Sequence, residues 1–189
     1  AASGGVNGFE LWKSDGTADG TVLVKDILRG SSPTTAVPKY LTNVNGTLFF
    51  ESESVFNELG QVWKSDGTSA GTVNISPTST VFGLHTTYNG LLYYGGLQSG
   101  TTGIELWRSD GTPEGTQLVV DLKPGPSGSV PAGILSFNGR LLMRADDGVH
   151  GTELYALDPR AAEVAGRNVF YNNSAFDGGD VAISRPNDA

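Results

Sequence analysis

The chain has no cysteine among its 189 residues, which excludes disulfides, thiolate metal sites and cysteine nucleophiles. It also has no apolar run of about 18 residues, so we expect no membrane-spanning helix. Basic residues are few, since 12 Lys and Arg stand against 20 Asp and Glu and the formal net charge is −8. A surplus of negative charge repels a polyphosphate backbone, so we expect no nucleic-acid partner.

Glycine, by contrast, is abundant. Its 27 residues are about twice the usual share of roughly 7%. Only 17% of the residues are charged, and 38% are hydrophobic. This composition is typical of a turn-rich chain rather than a helical one. A chain of this length can bury about two thirds of the surface that its unfolded form exposes, so a sizeable core is possible.

One segment recurs along the chain. Residues 10–21 read ELWKSDGTADGT, residues 61–72 read QVWKSDGTSAGT, and residues 105–116 read ELWRSDGTPEGT. Recurrence at a near-constant period indicates a repeat architecture. The aromatic position of the segment recurs at intervals of 51, 44 and 48 residues, at Trp12, Trp63, Trp107 and Tyr155.

Each full repeat also contains an Asn-Gly pair, at 45–46, 89–90 and 138–139. The pair is flanked by β-prone runs such as YLTNV and TLFF. This pattern predicts a hairpin with a type I′ turn, because both turn residues need a positive φ. The aromatic stretch predicts a third strand, and the stretch after each Gly-Thr (TVLVKDI, TVNIS and TQLVVDL) predicts a fourth.

Four short antiparallel strands per repeat of about 48 residues is the plan of a β-propeller blade. The runs TLFF and LLYY are apolar on both faces, as strands between two neighbouring blades are. We therefore predict an all-β fold, a β-propeller-type array of four-stranded antiparallel blades. The Ser-Asp-Gly-Thr segment should turn the chain between the third and fourth strands. The tryptophan should pack against the next blade and place its N–H on a carbonyl.

The segments ELWKSDGT and ELWRSDGT, the Gly-Thr that follows each and the NGTLFF hairpin resemble the ELWxxDGT repeat family of secreted and surface-associated bacterial proteins. The resemblance covers roughly residues 8–158. It implies an extracellular, propeller-type repeat, and it transfers no catalytic residue. The second copy departs from the pattern at Gln61 and Val62, and the fourth, ELYALDPR, loses the Ser-Asp-Gly-Thr turn.

That loss predicts the end of the array, with repeats over 1–159 and a C-terminal capping segment and loose tail over 160–189. Within the tail, NVFY is expected to add one strand to the last blade. The repeats amount to about three and a quarter blades, whereas closed propellers have about four to eight. Three explanations remain open: the chain is a piece of a longer protein, it closes unusually, or several chains assemble. An open end exposes strand edges, which makes assembly a hypothesis.

The length of the repeat varies in the connections between blades, at 29–38, 77–80 and 123–131. Insertions in repeat proteins lie in loops on one face, which is often the binding face. The candidate binding residues within these connections are Arg29, Ser31, Ser32, Lys123 and Ser127.

Polar residues are densest at 145–153, which contains Asp146, Asp147, His150 and Glu153. The three carboxylates are candidate ligands for calcium, a hard cation that prefers oxygen. Apart from calcium, we expect no cofactor. The alternative is a solvated loop, because the equivalent loops of the other blades lack this pattern.

Two other sets of polar residues have both a functional and a structural interpretation. Asp15, Asp66 and Asp110 are candidates for calcium, but each turn offers one carboxylate where calcium takes about six to eight oxygens, which favours a turn-forming role. His85 stands alone in an apolar strand and is expected to be packed.

Glutamate recurs two residues before the aromatic, at Glu10, Glu105 and Glu153. A catalytic carboxylate is usually single, so recurrence favours a structural pairing, for which Lys or Arg on a neighbouring strand is the expected partner.

These observations predict a secreted or cell-surface scaffold with a structural or binding role. Its expected partners are other protein chains, including copies of itself, or cell-surface polysaccharide. The alternative is a propeller hydrolase or lyase that acts on polysaccharide, with Asp146, Asp147, His150 and Glu153 as its first candidates. No linear catalytic motif appears, so no catalytic residue is assigned, although propeller enzymes gather carboxylates from several blades.

Overall fold

The computed structural model describes residues 2–3, 9–27, 37–53, 60–76, 80–98, 100, 102–157 and 169–171. The fold is all-β and consists of separate small antiparallel sheets. The first sheet contains β1 (Ala2–Ser3), β2 (Phe9–Lys13) and β3 (Val22–Lys25). The second contains β4 (Val37–Val44), β5 (Thr47–Glu53), β6 (Gly60–Ser65) and β7 (Val73–Asn74).

The third sheet contains β8 (Thr80–Tyr88), β9 (Leu91–Gln98), β10 (Gly103–Ser109) and β11 (Gln117–Val120). The fourth contains β12 (Ala132–Phe137), β13 (Arg140–Asp146), β14 (Thr152–Leu157) and β15 (Val169–Tyr171). In every sheet the strands pair in chain order. The predicted strands are therefore confirmed, including the strand expected from NVFY, and β1 adds a strand to the first sheet that the sequence analysis did not predict.

The three Asn-Gly hairpins have the predicted turn. The φ angles are 51° and 85° at Asn45 and Gly46, and the pairs at 89–90 and 138–139 have φ angles of 48° and 75° and of 48° and 74°. Positive φ at both positions is the signature of a type I′ turn, whose twist matches that of the flanking strands. Three tight hairpins therefore fix the register between the first and second strands of the last three sheets.

Side chains on opposite faces of each sheet enter different cores. Phe50 packs with Leu11 and Val24 of the first sheet, whereas its neighbour Phe49 packs with Tyr94 of the third sheet. A third cluster joins the third and fourth sheets, where Leu106 meets Tyr155. Successive side chains of a strand point to opposite faces. A strand that is apolar on both faces therefore packs against the preceding sheet and the following sheet at the same time.

Trp63 and Trp107 face the preceding sheet, not the next one as predicted. Trp107 of the third sheet packs with Phe49 and Val62 of the second, and Trp63 packs in the cluster that contains Leu11 of the first. The residue before each of them, Val62 or Leu106, points toward the next sheet, and strand alternation directs the tryptophan to the opposite face. The predicted indole contact is also wrong at Trp107, whose buried Nε1 has no hydrogen-bond partner among the described residues.

Candidate functional site

The Ser-Asp-Gly-Thr turn has the same internal hydrogen bonds in all three copies. In the third copy, the Thr112 backbone N–H and hydroxyl both donate to Asp110 Oδ1, at 2.8 and 2.7 Å. The Gly115 N–H donates to the Thr112 hydroxyl at 2.9 Å, and the Ser109 and Thr116 hydroxyls lie 2.7 Å apart. The expected turn-forming role of the aspartate is therefore confirmed.

The recurrence of glycine in the closing Gly-Thr has a steric explanation. A Cβ at Gly115 would overlap the Asp110 carboxylate, and the same overlap would occur at Gly20 and Gly71. Hydrogen bonds from the threonine side chain and backbone hold the pKa of Asp110 below its usual range. The Oδ1 atom of the recurring aspartate is thus engaged in the turn.

Glu105 anchors the connection between the third and fourth sheets. Its carboxylate is fully buried and accepts hydrogen bonds from the backbone N–H groups of Leu122, Lys123 and Ser129, and from the Ser129 hydroxyl. Burial raises the pKa of Glu105, and these hydrogen bonds oppose that rise. The recurring glutamate has a structural role, as predicted, but its partners are backbone amides and a hydroxyl rather than the expected Lys or Arg. Glu10 of the first sheet accepts in the same way from the Ile27 N–H.

The connection that contains Lys123 and Ser127 is bonded to the sheets along its length. The Val130 N–H donates to the Ile104 carbonyl at 3.0 Å, and the Asp146 N–H donates to the Ser129 carbonyl at 2.9 Å. Gly128 lies so close to Ile104 that a Cβ would overlap the strand backbone. The backbone of this candidate binding loop is therefore held against the third and fourth sheets. Exposed positions such as Ser127 remain accessible to a ligand.

The structure brings two of the candidate residues together across that connection. Lys123 Nζ lies 2.6 Å from Asp146 Oδ2, with both side chains about one quarter exposed. This contact, together with the Gly148 N–H, holds the pKa of Asp146 below its usual range. A predicted binding residue and a predicted metal ligand thus form an ion pair.

Asp147 and His150 form a second pair on the same loop. His150 Nδ1 lies 2.8 Å from Asp147 Oδ2, and the backbone N–H groups of Val149 and His150 donate to Asp147 Oδ1. Burial acts to raise the pKa of Asp147, but the hydrogen bonds from His150 and Val149 outweigh it and hold that pKa far below its usual range.

The predicted calcium ligands do not assemble into one site. Glu153 lies on β14 and pairs in register with Ala145, while the two aspartates are engaged as described above. Within the described ranges, no three His, Asp or Glu side chains converge in a way that could hold a metal ion. Arg29, Ser31 and Ser32 lie outside the described residues.

A buried pair that the sequence analysis did not predict joins the second and third sheets. His85 Nε2 lies 3.9 Å from Glu51 Oε2, and both side chains are 1% exposed. The imidazole contacts the rings of Tyr40 and Tyr94 edge-on, with centroid distances of 5.7 and 6.1 Å. Burial lowers the pKa of His85 to about 4, against a smaller opposite effect of a backbone hydrogen bond at Tyr40. His85 is packed, as expected, and no solvent-facing atom is left for a substrate.

An apolar surface lies exposed on one face of the fourth sheet. Strand pairing places Leu135, Leu142 and Ala156 in one row across β12, β13 and β14. Alternation along the strands puts Phe137 and Leu154 on the same side. We call this side the outer face of the fourth sheet, and it also carries Arg140 and Arg144, which pair in register with Phe137 and Leu154. Leu135 is 46% exposed, Phe137 56% and Leu154 57%.

Comparison with protein-family models gives no match, and no curated protein matches the chain. The part of the chain that the structure describes contains no helix of the length and hydrophobicity needed to cross a bilayer.

Proposed function

We propose that the chain is a propeller-type repeat scaffold of the ELWxxDGT kind, which acts outside the cell and assembles with other protein chains through the outer face of its fourth sheet. One observation carries this proposal. The three exposed side chains of that face lie on one regular sheet with Leu142 and Ala156 between them, and contiguous apolar surface of this kind marks interaction sites in soluble proteins.

The internal contacts of the polar residues also favour a scaffold. Asp110 closes a turn, Glu105 anchors a connection, and Asp146 is paired with Lys123. Each of these groups has a structural task that recurs or joins two sheets. A propeller-type array built in this way ends in a fourth sheet whose outer face carries exposed apolar side chains.

The molar mass in solution tests assembly. We expect light scattering of the purified chain to give a defined species larger than 19.7 kDa. The double variant Phe137→Ser/Leu154→Ser should reduce it to the monomer. Val149→Ser is the matched control, because Val149 is 79% exposed but lies on a loop away from the outer face. A wild-type monomer at every concentration would overturn the proposal. Parallel runs with calcium and with a chelator test the turn aspartates as ligands.

One contact favours the alternative of a polysaccharide hydrolase or lyase. Asp147 orients His150 at 2.8 Å, and a carboxylate that fixes an imidazole is a common arrangement for a general base. In that case, Asp147→Asn and His150→Gln would each abolish the release of new chain ends from a polysaccharide panel. The scaffold proposal expects no release by the wild type.

A further inference from the structure

We infer that the outer face of the fourth sheet binds the first sheet of a second copy of this chain, so that the copies associate head to tail. This inference rests on the proposed assembly function and adds the identity and orientation of the partner.

Every junction within the chain has the same direction. The residue before the aromatic points to the following sheet, and the aromatic itself points to the preceding one. Thus Leu11 shares a cluster with Trp63, Val62 with Trp107, and Leu106 with Tyr155. The junction is therefore heterologous. The face that carries the residue before the aromatic, the leading kind of face, always meets the face that carries the aromatic of the following sheet.

The fourth sheet displays the leading kind of face, and no other sheet of the described residues packs on it. Leu154 occupies the position of Leu11, Val62 and Leu106, which are 3%, 0% and 1% exposed, yet it is 57% exposed. Phe137 occupies the position of Val44, which is 5% exposed, and is itself 56% exposed. These side chains keep the apolar chemistry of a junction, although no further sheet of the described chain covers them.

The first sheet displays the complementary kind of face. Trp12 occupies the position of Trp63 and Trp107, and Leu23 pairs with it as Leu118 pairs with Trp107. Trp12 and Leu23 are half-buried and Trp12 Nε1 is buried, but neither residue belongs to any of the three core clusters that the described residues form. A sheet in front of Trp12 would complete the junction that each later aromatic already has.

Charge also suits this pairing. Arg144 pairs in register with Leu154 and so lies on the outer face of the fourth sheet. The turn of the first sheet carries Asp15 and Asp19, which are both exposed. Within the chain, Lys13 Nζ of the first sheet donates to the Gly67 carbonyl in the turn of the second at 2.9 Å, and the fourth sheet has Ala156 at the position of Lys13. Complementary charges of this kind favour one orientation over the others.

Two copies joined at both ends would bring eight sheets together, within the range of about four to eight blades in closed propellers. Head-to-tail contacts close into a ring when the rotation allows it. We therefore expect a closed pair of about 39 kDa, twice the mass of one chain.

Single-cysteine variants test the orientation directly, because the chain has no cysteine of its own. Leu154→Cys and Leu23→Cys are mixed in equal amounts and treated with a short bis-maleimide. We expect a crosslinked pair in the mixture and almost none with either variant alone. Crosslinking of Leu154→Cys with itself, or no crosslink in the mixture, would overturn the head-to-tail inference.

A complementation experiment separates this inference from the proposed function. Leu154→Glu and Leu23→Glu should each weaken self-association by more than about tenfold, because a charge would be buried at the contact. Their mixture should regain a two-chain species, since each variant keeps one intact face. If the wild type is an oligomer but the mixture stays monomeric, the orientation is wrong while assembly stands. If the wild type is a monomer, the proposed function itself fails.

Discussion

Leu106 on β10 and Leu154 on β14 occupy the same position of consecutive repeats, each on the third strand of its sheet, yet their surroundings are opposite. Leu106 is 1% exposed between the third and fourth sheets, whereas Leu154 is 57% exposed on the outer face of the fourth. Each follows a glutamate and precedes an aromatic. The position in the repeat decides the direction of a side chain, and the presence of a following sheet decides whether it is buried.

The same contrast holds for the glutamate of the repeat. Glu105 is fully buried and holds the next connection by four hydrogen bonds, while Glu153 is only half-buried. A connection that leads to a further sheet supplies the donors. The repeat therefore needs its successor to complete its own polar contacts as well as its core.

The largest expected effect comes from truncating the two leucines, whose side chains should contribute very differently to the free energy of unfolding. Leu106→Ala should lower the free energy of unfolding by about 2–5 kcal/mol, because it leaves a cavity in a closed core. Leu154→Ala should change it by less than about 0.5 kcal/mol in dilute solution, where the face is exposed. Urea denaturation measures both. Equal losses would mean that the outer face is covered within a single chain.

The next effect concerns the buried histidine. The folded pKa of His85 is about 4, while its unfolded value is 6.5, so between these pH values the unfolded chain binds a proton that the folded chain does not. The contribution of His85 to the free energy of unfolding is thus fully present above pH 6.5. It falls as the pH is lowered toward 4, by up to about 3 kcal/mol.

His85→Gln should remove most of this slope. Denaturation midpoints at several pH values between 4 and 8 give the measurement. His150→Gln is the comparison variant, because the His150 side chain is 48% exposed and lies outside the sheet junctions. An unchanged slope in His85→Gln would show that other groups cause the acid dependence.

A smaller effect is expected for the two glutamates. Glu105→Gln replaces a buried acceptor by an amide that cannot accept from all four donors, and should cost about 1–3 kcal/mol. Glu153→Gln should cost less than about 0.5 kcal/mol because its side chain is partly solvated. Faster amide exchange at Lys123 and Ser129 in the first variant would show that the connection has loosened. Equal costs for the two variants would argue against the anchoring role.

The smallest effect belongs to the ion pair between Lys123 and Asp146. Lys123→Met keeps the aliphatic stem against Gly148 and removes the charge, so it should lower the free energy of unfolding only slightly, as expected for a solvent-screened pair. The loss should shrink at high salt. A cost equal to that of Glu105→Gln would mean that the ion pair, rather than the carboxylate of Glu105, holds the connection.

Much of the local structure could be predicted from the sequence. Asn45 and Gly46 form the predicted type I′ turn, and Asp110 closes the predicted turn through Thr112. Both are contacts between residues a few positions apart, which local pattern encodes. The direction of Trp107 and the pair of His85 with Glu51 could not be predicted, because both depend on which sheet lies on which side.

The sequence by itself determined the period, the strands, the hairpins and the turns, because these depend on backbone dihedrals and on hydrogen bonds between near neighbours. Only the tertiary structure decided that Glu105 anchors a connection, that Lys123 pairs with Asp146, and that Leu154 is exposed where Leu106 is buried. Burial is a property of two surfaces in contact, and identical residues on identical strands differ when one of them has no neighbouring sheet.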